Sequence, residues 1–307
     1  MRIEFLSEDS DIRRVGQLHT DFHPLLALRL HDEFGVGDTE GITIERAEPD
    51  PVLFRYLAVI DARGQRASRA FFTAFHEITH LIIHPEQKAF PGYRRTPGAE
   101  EWTKDSVESV VDHLAGRIAF YAPVFGPILE KAIRQEGDLT FRCLDSIRLS
   151  TSPAPSLHAT ARAATSLVSE SAMFVQADLD CKKAEARALR SPQTTFEFAQ
   201  VNPSFDVRAV VVVANAAAKG SGLVIHPHIR IPPRSVIWAA FESSDEVELR
   251  AHENQSWWEN SQIGSLPALP LDVQAIRRGG FVYGLIRPRS GSQTLRAASA
   301  SREPSAT

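Results

Sequence analysis

From Ala67 to His84 the chain runs without a glycine or a proline, between the turn-like Asp61-Ala62-Arg63-Gly64 and Pro85. With apolar residues at helical spacing, such a stretch predicts a helix that stops just before the proline, whose ring disfavours helical geometry in the residue it follows. Inside it His76 and His80 are four residues apart. A helix therefore projects both imidazoles from one face, about one turn from each other.

The punctuation around this helix predicts the rest of the first half. Leu25 to Phe34 reads as a helix stopped at Gly35 and Gly37, Ile42-Thr43-Ile44 and Val52 to Ile60 as strands, and the Pro- and Gly-rich 85 to 103 as an irregular loop. A helix capped by Thr103 or Asp105 then runs to about Tyr121 and stops at Pro123, and shorter helices follow over 125 to 135, 139 to 149 and 156 to 168. After Ser171 the texture turns to β-rich segments: Met173 to Ala177, Val207 to Ala214, Leu223 to His226, Val236 to Phe241 and Gly280 to Arg287. Residues 182 to 205 read as a connecting helix plus loop, and the Ser/Ala/Arg-rich Gly291 to Thr307 as a disordered tail. The expected fold class is α+β, and 307 residues suffice for two or three units.

Two imidazoles one turn apart can hold one zinc ion. Glu77, next to the first of them, can then take a proton from an attacking water and return it to a leaving amine. Such a site needs a third protein donor and one position open to water. Glu108 is the candidate: it shares helical spacing with Val111, Asp112 and Ala115, so its carboxylate can turn toward the first helix while the apolar residues pack. The chain's own His and Glu frequencies give on the order of 0.03 chance HExxH matches in a sequence of this length. His84, one turn beyond the pair, points past the metal on a straight helix; it, His113 and Asp112 read as outer partners or surface residues rather than ligands.

Composition excludes several classes. With 43% hydrophobic and 23% charged residues the chain is ordinary globular protein, and a net charge of -4 argues against a surface given over to nucleic acid. Cys143 and Cys181 are too few for a disulfide framework and lack CxxC spacing, so they read as reduced, partly buried thiols. The N-terminus has no signal-peptide h-region, and the longest apolar runs, Ala209 to Ala214 and Val236 to Phe241, are far short of a membrane span. The expectation is a soluble, cytoplasmic protein without a membrane partner.

Phe72-Thr73-Ala74-Phe75-His76-Glu77-Ile78-Thr79-His80, followed by Glu108-Ser109-Val110-Val111-Asp112-His113-Leu114-Ala115 and then Pro123, resembles the ImmA/IrrE metallopeptidase family. Its pattern is a Phe-Thr-x-Ala-His-Glu-x-x-His helix, then a Glu-x-x-Ala-Asn/Asp-x-Phe-Ala helix ending before a proline. The resemblance is specific over about residues 65 to 125; beyond that it is one of layout, three short helices like a helix-turn-helix region and then a GAF-like domain. It implies His76, His80 and Glu108 as zinc ligands and Glu77 as general base. Phe75, Val111 and Leu114 depart from the pattern, and the stretch before Pro123 is about two residues longer; these positions bear on the cleft's shape rather than its chemistry.

The organisation expected is a zincin-like metallopeptidase domain over 1 to 123, a helical, helix-turn-helix-like region over 124 to 170, and a GAF-like regulatory domain over 171 to 290. The resemblance implies a site-specific endopeptidase that cleaves a helix-turn-helix repressor to switch on a stress, DNA-damage or antiphage response, with single-stranded DNA or a small ligand as activator. The alternative is a non-proteolytic transcription regulator that binds DNA or a partner protein on the zincin scaffold; an intact Glu77, needed for hydrolysis and not for zinc binding, weighs against it. Two further features have bland readings beside sharp ones. Arg162 and His158 could touch DNA from a recognition helix, with plain helical packing the stronger reading. Trp257-Trp258 with Arg250, His252 and Arg277-Arg278 could form a stacking platform, with core or rim aromatics the stronger reading.

Overall fold

The computed structural model describes residues 1–35, 39–46, 53–83, 93–95, 106–182, 185, 204–244, 246–260 and 264–289. They divide into two compact units, one of residues 1–132 and 145–160, the other of 133–144 and 161–307. Among the described residues no helix is long and apolar enough to cross a membrane.

The first unit is built on a four-stranded sheet of β1 (Arg2–Leu6), β2 (Thr39–Glu45), β3 (Tyr56–Asp61) and β4 (Tyr93–Arg95), in the order β1-β3-β2-β4. β1 runs parallel to β3, while β2 is antiparallel to both β3 and β4. β4 falls within the stretch read as irregular loop, where its three residues add an edge strand that composition gives no hint of.

Strand parity sorts the core. Successive side chains of a strand leave opposite faces. Leu57 and Val59 of β3, with Ile42 and Ile44 of β2, join Leu6, Ile12, Val15, Phe22, Leu26, Leu30 and Phe34 under α1 (Asp9–Leu18) and α2 (Leu26–Gly35). Each such fully buried Leu or Phe contributes roughly 1.5–3 kcal/mol. The two helices cross closely because Gly16 has no side chain: an added Cβ would lie 2.3 Å from Ala27 Cα. The alternate residues Ala58 and Ile60 pack instead with Ala70 and Ala74 of α3 (Ala67–Ile83), and Ile3 and Phe5 join them. A sheet covered on both faces reads as a continuous apolar run rather than an alternating one, as β3 does.

α3 is launched from a buried ionic turn. Asp61, at the end of β3 and 1% exposed, accepts from Arg63 Nε (2.9 Å) and backbone N (3.0 Å) and pairs with Arg66; Arg63 also donates to the Phe34 carbonyl at 2.9 Å. Burial pushes the Asp61 carboxyl up, but its hydrogen bonds and charge contacts with Arg63 and Arg66 outweigh that and hold it below its usual range. A carboxyl depressed in the folded state adds stability above its unfolded value of about 3.9, which is lost as pH falls through the lower folded value. Asp61→Asn, which leaves two arginines short of their partner, should cost about 3–5 kcal/mol and remove that acid-side stability loss; urea titrations between pH 3 and 7 would measure both.

Helices α4 (Ser106–Ala119), α5 (Ala122–Glu136), α6 (Phe141–Arg148) and α7 (Leu157–Leu167) follow, close to the expected boundaries. The second unit is a five-stranded antiparallel sheet, β6-β5-β11-β10-β7, of β5 (Met173–Asp180), β6 (Asp206–Ala214), β7 (Glu248–Asn254), β10 (Pro270–Arg278) and β11 (Phe281–Pro288), with a small hairpin of β8 (Glu259–Asn260) and β9 (Gly264–Ser265). Gly279 and Gly280, both at positive φ, make the tight turn joining β10 to β11. Helices α8 (Ala216–Gly220) and α9 (Val236–Glu242) contribute Ala218, Ile237 and Ala240 to the core of this unit. Both cysteines are buried thiols outside any disulfide, and burial pushes the Cys143 thiol up.

Two expected strands fail, for reasons visible in the polar contacts. Val236 to Phe241 is the helix α9: Ser235 Oγ accepts from Ile237 N at 3.2 Å, and Glu253 Oε1 accepts from Ser235 Oγ at 2.9 Å and Val236 N at 2.8 Å. A short apolar run does not distinguish strand from helix, and the Ser cap decides. Leu223 to His226 is not a strand either, since Val224 N donates to the buried Gln255 side chain at 2.8 Å instead of to a ladder partner. Most of 182 to 205 and all of 291 to 307 lie outside the described residues.

Candidate metal centre

α3 and α4 are held together by apolar and aromatic contacts, and this fixes the donors they carry. Val111 and Ala115 of α4 are fully buried, and Phe71 packs on Phe75 (ring centroids 5.1 Å apart) and on Phe120 (5.6 Å). On α3 the hydroxyls of Thr73 and Thr79 return to the helix's own carbonyls at Arg69 (3.1 Å) and Phe75 (2.7 Å), so neither asks for a partner outside it. Arg69, near the helix start, is tied to the buried Glu40 of β2 at 2.6 Å.

The polar faces of the two helices meet at one point. His76 Nε2 lies 3.0 Å from His80 Nε2 and 3.3 Å from Glu108 Oε2, and His80 Nε2 lies 3.4 Å from Glu108 Oε1. Donor atoms of all three side chains fall within 4.8 Å of one another. A tetrahedral zinc with bonds of about 2.0–2.1 Å separates its ligands by about 3.3 Å, so the observed spacing is that of a zinc cage. Two imidazoles and a carboxylate are also the donors zinc accepts in hydrolytic sites, where three protein ligands leave the fourth position for water.

Asp112, one turn after Glu108, accepts from His76 Nδ1 at 3.0 Å. This keeps the proton on Nδ1 and leaves the Nε2 lone pair for the metal. It is an outer partner, not a ligand, and His113 beside it is exposed. His84 lies outside the described residues. Outer carboxylates of this kind typically contribute 10–100-fold to metal affinity, so Asp112→Asn should weaken zinc binding by about that factor while leaving His76, His80 and Glu108 in place. Competition with a chromophoric chelator would measure it, and unchanged affinity would make Asp112 a surface residue.

Glu77 lies on α3 between the two histidines, fully buried, and its Oε2 accepts from Thr43 Oγ1 of β2 at 2.6 Å. Thr43 and Gly41 share the face of β2 that meets α3, and an added Cβ at Gly41 would lie 2.7 Å from Thr73 Cγ2 and 3.4 Å from Glu77 Oε1. His76, His80 and Glu108 with Glu77 form the active-site arrangement of a zinc-dependent metalloendopeptidase of zincin type. No protein-family model matches the chain, and no curated protein matches it.

Sequence reasoning missed Thr43 and Gly41, which carry no motif; the parity of β2 against a buried helix was the signal that could have found them. The aromatics around Trp257 and Trp258 follow the core-or-rim reading rather than that of a stacking platform. Trp258 is wholly buried in the core of the second unit, the Arg234 guanidinium lies 4.3 Å over the Trp257 ring, Arg277 donates to the Phe241 and Ser243 carbonyls, and His252 pairs with Asp272 at 2.5 Å. Each candidate group is already engaged within the unit. Arg162 is exposed and His158 half-buried on α7.

Proposed function

We propose that this protein is a cytoplasmic, site-specific zinc endopeptidase of the ImmA/IrrE kind, that it cleaves a helix-turn-helix transcriptional repressor, and that residues 171 to 290 are a GAF-like sensing module. The observation that carries the hydrolytic part is the convergence of His76, His80 and Glu108, with Glu77 next to the first of them in the chain. A zinc scaffold used only for binding needs the donors and has no use for that carboxylate. The repressor, the stress, DNA-damage or antiphage setting, and activation by single-stranded DNA or a small ligand rest on the resemblance in residues 65 to 125.

Bound zinc would polarise the scissile carbonyl and acidify water. The chain's own residues do the remainder. His76 and His80 present Nε2 and Glu108 its carboxylate, and Asp112 holds the proton on His76 Nδ1. As the water oxygen bonds to the carbonyl carbon, Glu77 takes the water's proton; as the C–N bond breaks, Glu77 delivers that proton to the amine nitrogen.

The test is co-expression with the helix-turn-helix repressor encoded nearest to it, with and without added single-stranded DNA, followed by mass spectrometry of the repressor. Cleavage at one position by the wild type and none by a zinc-loaded Glu77→Gln supports the reading. An intact repressor bound equally by both proteins overturns it in favour of a non-proteolytic regulator.

A further inference from the structure

We propose that Thr43 is a positioning residue for the general base, holding Glu77 Oε2 and with it the orientation of the carboxylate. The inference rests on the reading of Glu77 as the base and adds a residue from a different element, the central strand β2.

Glu77 is fully buried and reaches β2, where Thr43 Oγ1 lies 2.6 Å from Oε2. That separation is ordinary for a hydroxyl donating to a carboxylate, the charge-assisted class of hydrogen bond. Thr43 is itself 7% exposed, so its hydroxyl faces little competing water. Two residues earlier on the same face, Gly41 offers no side chain: a Cβ there would stand 2.7 Å from Thr73 Cγ2, 3.1 Å from Ile60 Cδ1 and 3.4 Å from Glu77 Oε1. β2 therefore provides a seat of defined shape, a gap at Gly41 that lets the strand approach α3 and a donor at Thr43 that fixes the carboxylate's rotation. A base gains rate only when its oxygen is within hydrogen-bond reach of the proton it takes, and a terminal carboxylate torsion is otherwise broad. With Oε2 holding the threonine hydrogen, the carboxylate keeps one orientation for the proton transfer it performs.

Three variants test this in the full chain loaded with zinc: Thr43→Val, which keeps the shape and loses the hydroxyl, Thr43→Ala should valine not be accommodated, and Thr43→Ser, which restores the donor. Two readouts are used, cleavage of the repressor and calorimetric binding of acetohydroxamic acid, a zinc chelator whose hydroxyl proton a neighbouring base accepts. Thr43→Val should lower kcat about tenfold and weaken acetohydroxamate by a similar factor, with KM and zinc content within about twofold of wild type, and Thr43→Ser should recover most of both losses. In a Glu77→Gln background Thr43→Val should add nothing, because the hydroxyl acts only through Glu77. Unchanged kcat and acetohydroxamate affinity in zinc-loaded Thr43→Val, a loss that serine does not restore, or an equal loss in the Glu77→Gln background would each overturn the proposal. If wild type cuts no repressor yet binds acetohydroxamate in a Glu77-dependent way, the substrate reading has failed and the acetohydroxamate results still decide on Thr43.

Discussion

Glu77→Gln lowers kcat by about 10²–10⁴ and leaves zinc content unchanged, because it removes a proton acceptor and no ligand. Glutamine has nearly the same shape, so the packing against Gly41 and the Thr43 donation can both persist, the latter to the amide oxygen. What it cannot do is take a proton from water. Glu77 is fully buried, and a carboxylate taken out of water is costly even when hydrogen-bonded. Thermal stability should therefore hold or rise in the variant, which separates a catalytic defect from an unfolded one. Single-turnover kinetics, zinc analysis by mass spectrometry and a melting curve on the same preparations make the comparison. Wild-type cleavage by Glu77→Gln would remove the general-base role, and loss of zinc would mean that the carboxylate serves the metal instead.

How much of this was legible in the sequence depends on the range over which each feature is encoded. The α3 donors are local: a helix of period 3.6 dictates that His76 and His80 share a face, and no tertiary contact is needed to see it. Glu108 and Asp112 are one helix away, yet their four-residue spacing, with Val111 and Ala115 four apart on the apolar side, gives α4 an apolar and a polar side, which is why the partner helix could be named as well. Thr43 belongs to a strand paired on both sides, and the direction in which its hydroxyl points depends on which face of the sheet α3 covers. That is a property of packing, and single-sequence patterns carry it only through strand parity.

The second unit was harder for the same reason. β7 reads Glu-Leu-Arg-Ala-His-Glu-Asn, too polar to announce a strand, because its Arg250 and His252 side chains are largely exposed and paired with Glu248 and Asp272 while Glu253 turns inward to Ser235. α9 reads as a strand because its apolar run is short, and the Ser235 cap that makes it a helix is itself fixed by Glu253. For α9 a buried carboxylate from β7 sets the local outcome. Such a group leaves no periodic trace.

Removing the carboxylate of Glu108 abolishes zinc retention and with it all hydrolysis. Glu108 is the one donor contributed by α4, and its two oxygens face His76 Nε2 and His80 Nε2 separately, at 3.3 and 3.4 Å. Without it two imidazoles remain, which is one ligand short of a catalytic zinc site. The loss of affinity should exceed the roughly 10–100-fold expected for Asp112→Asn, since an outer partner tunes a ligand that is still present. Stability gives an independent reading. A metal that binds only the folded state raises its stability by about 2.7 kcal/mol at 100 times its dissociation constant, so wild-type melting should shift upward with zinc and downward with chelator. The Glu108→Ala curve should respond to neither, and its melting point should match that of chelator-treated wild type, because the side chain is partly exposed and its removal opens no core cavity. A Glu108→Ala protein that still melts higher with added zinc, and still holds the ion through dialysis, would show that the third ligand comes from another residue.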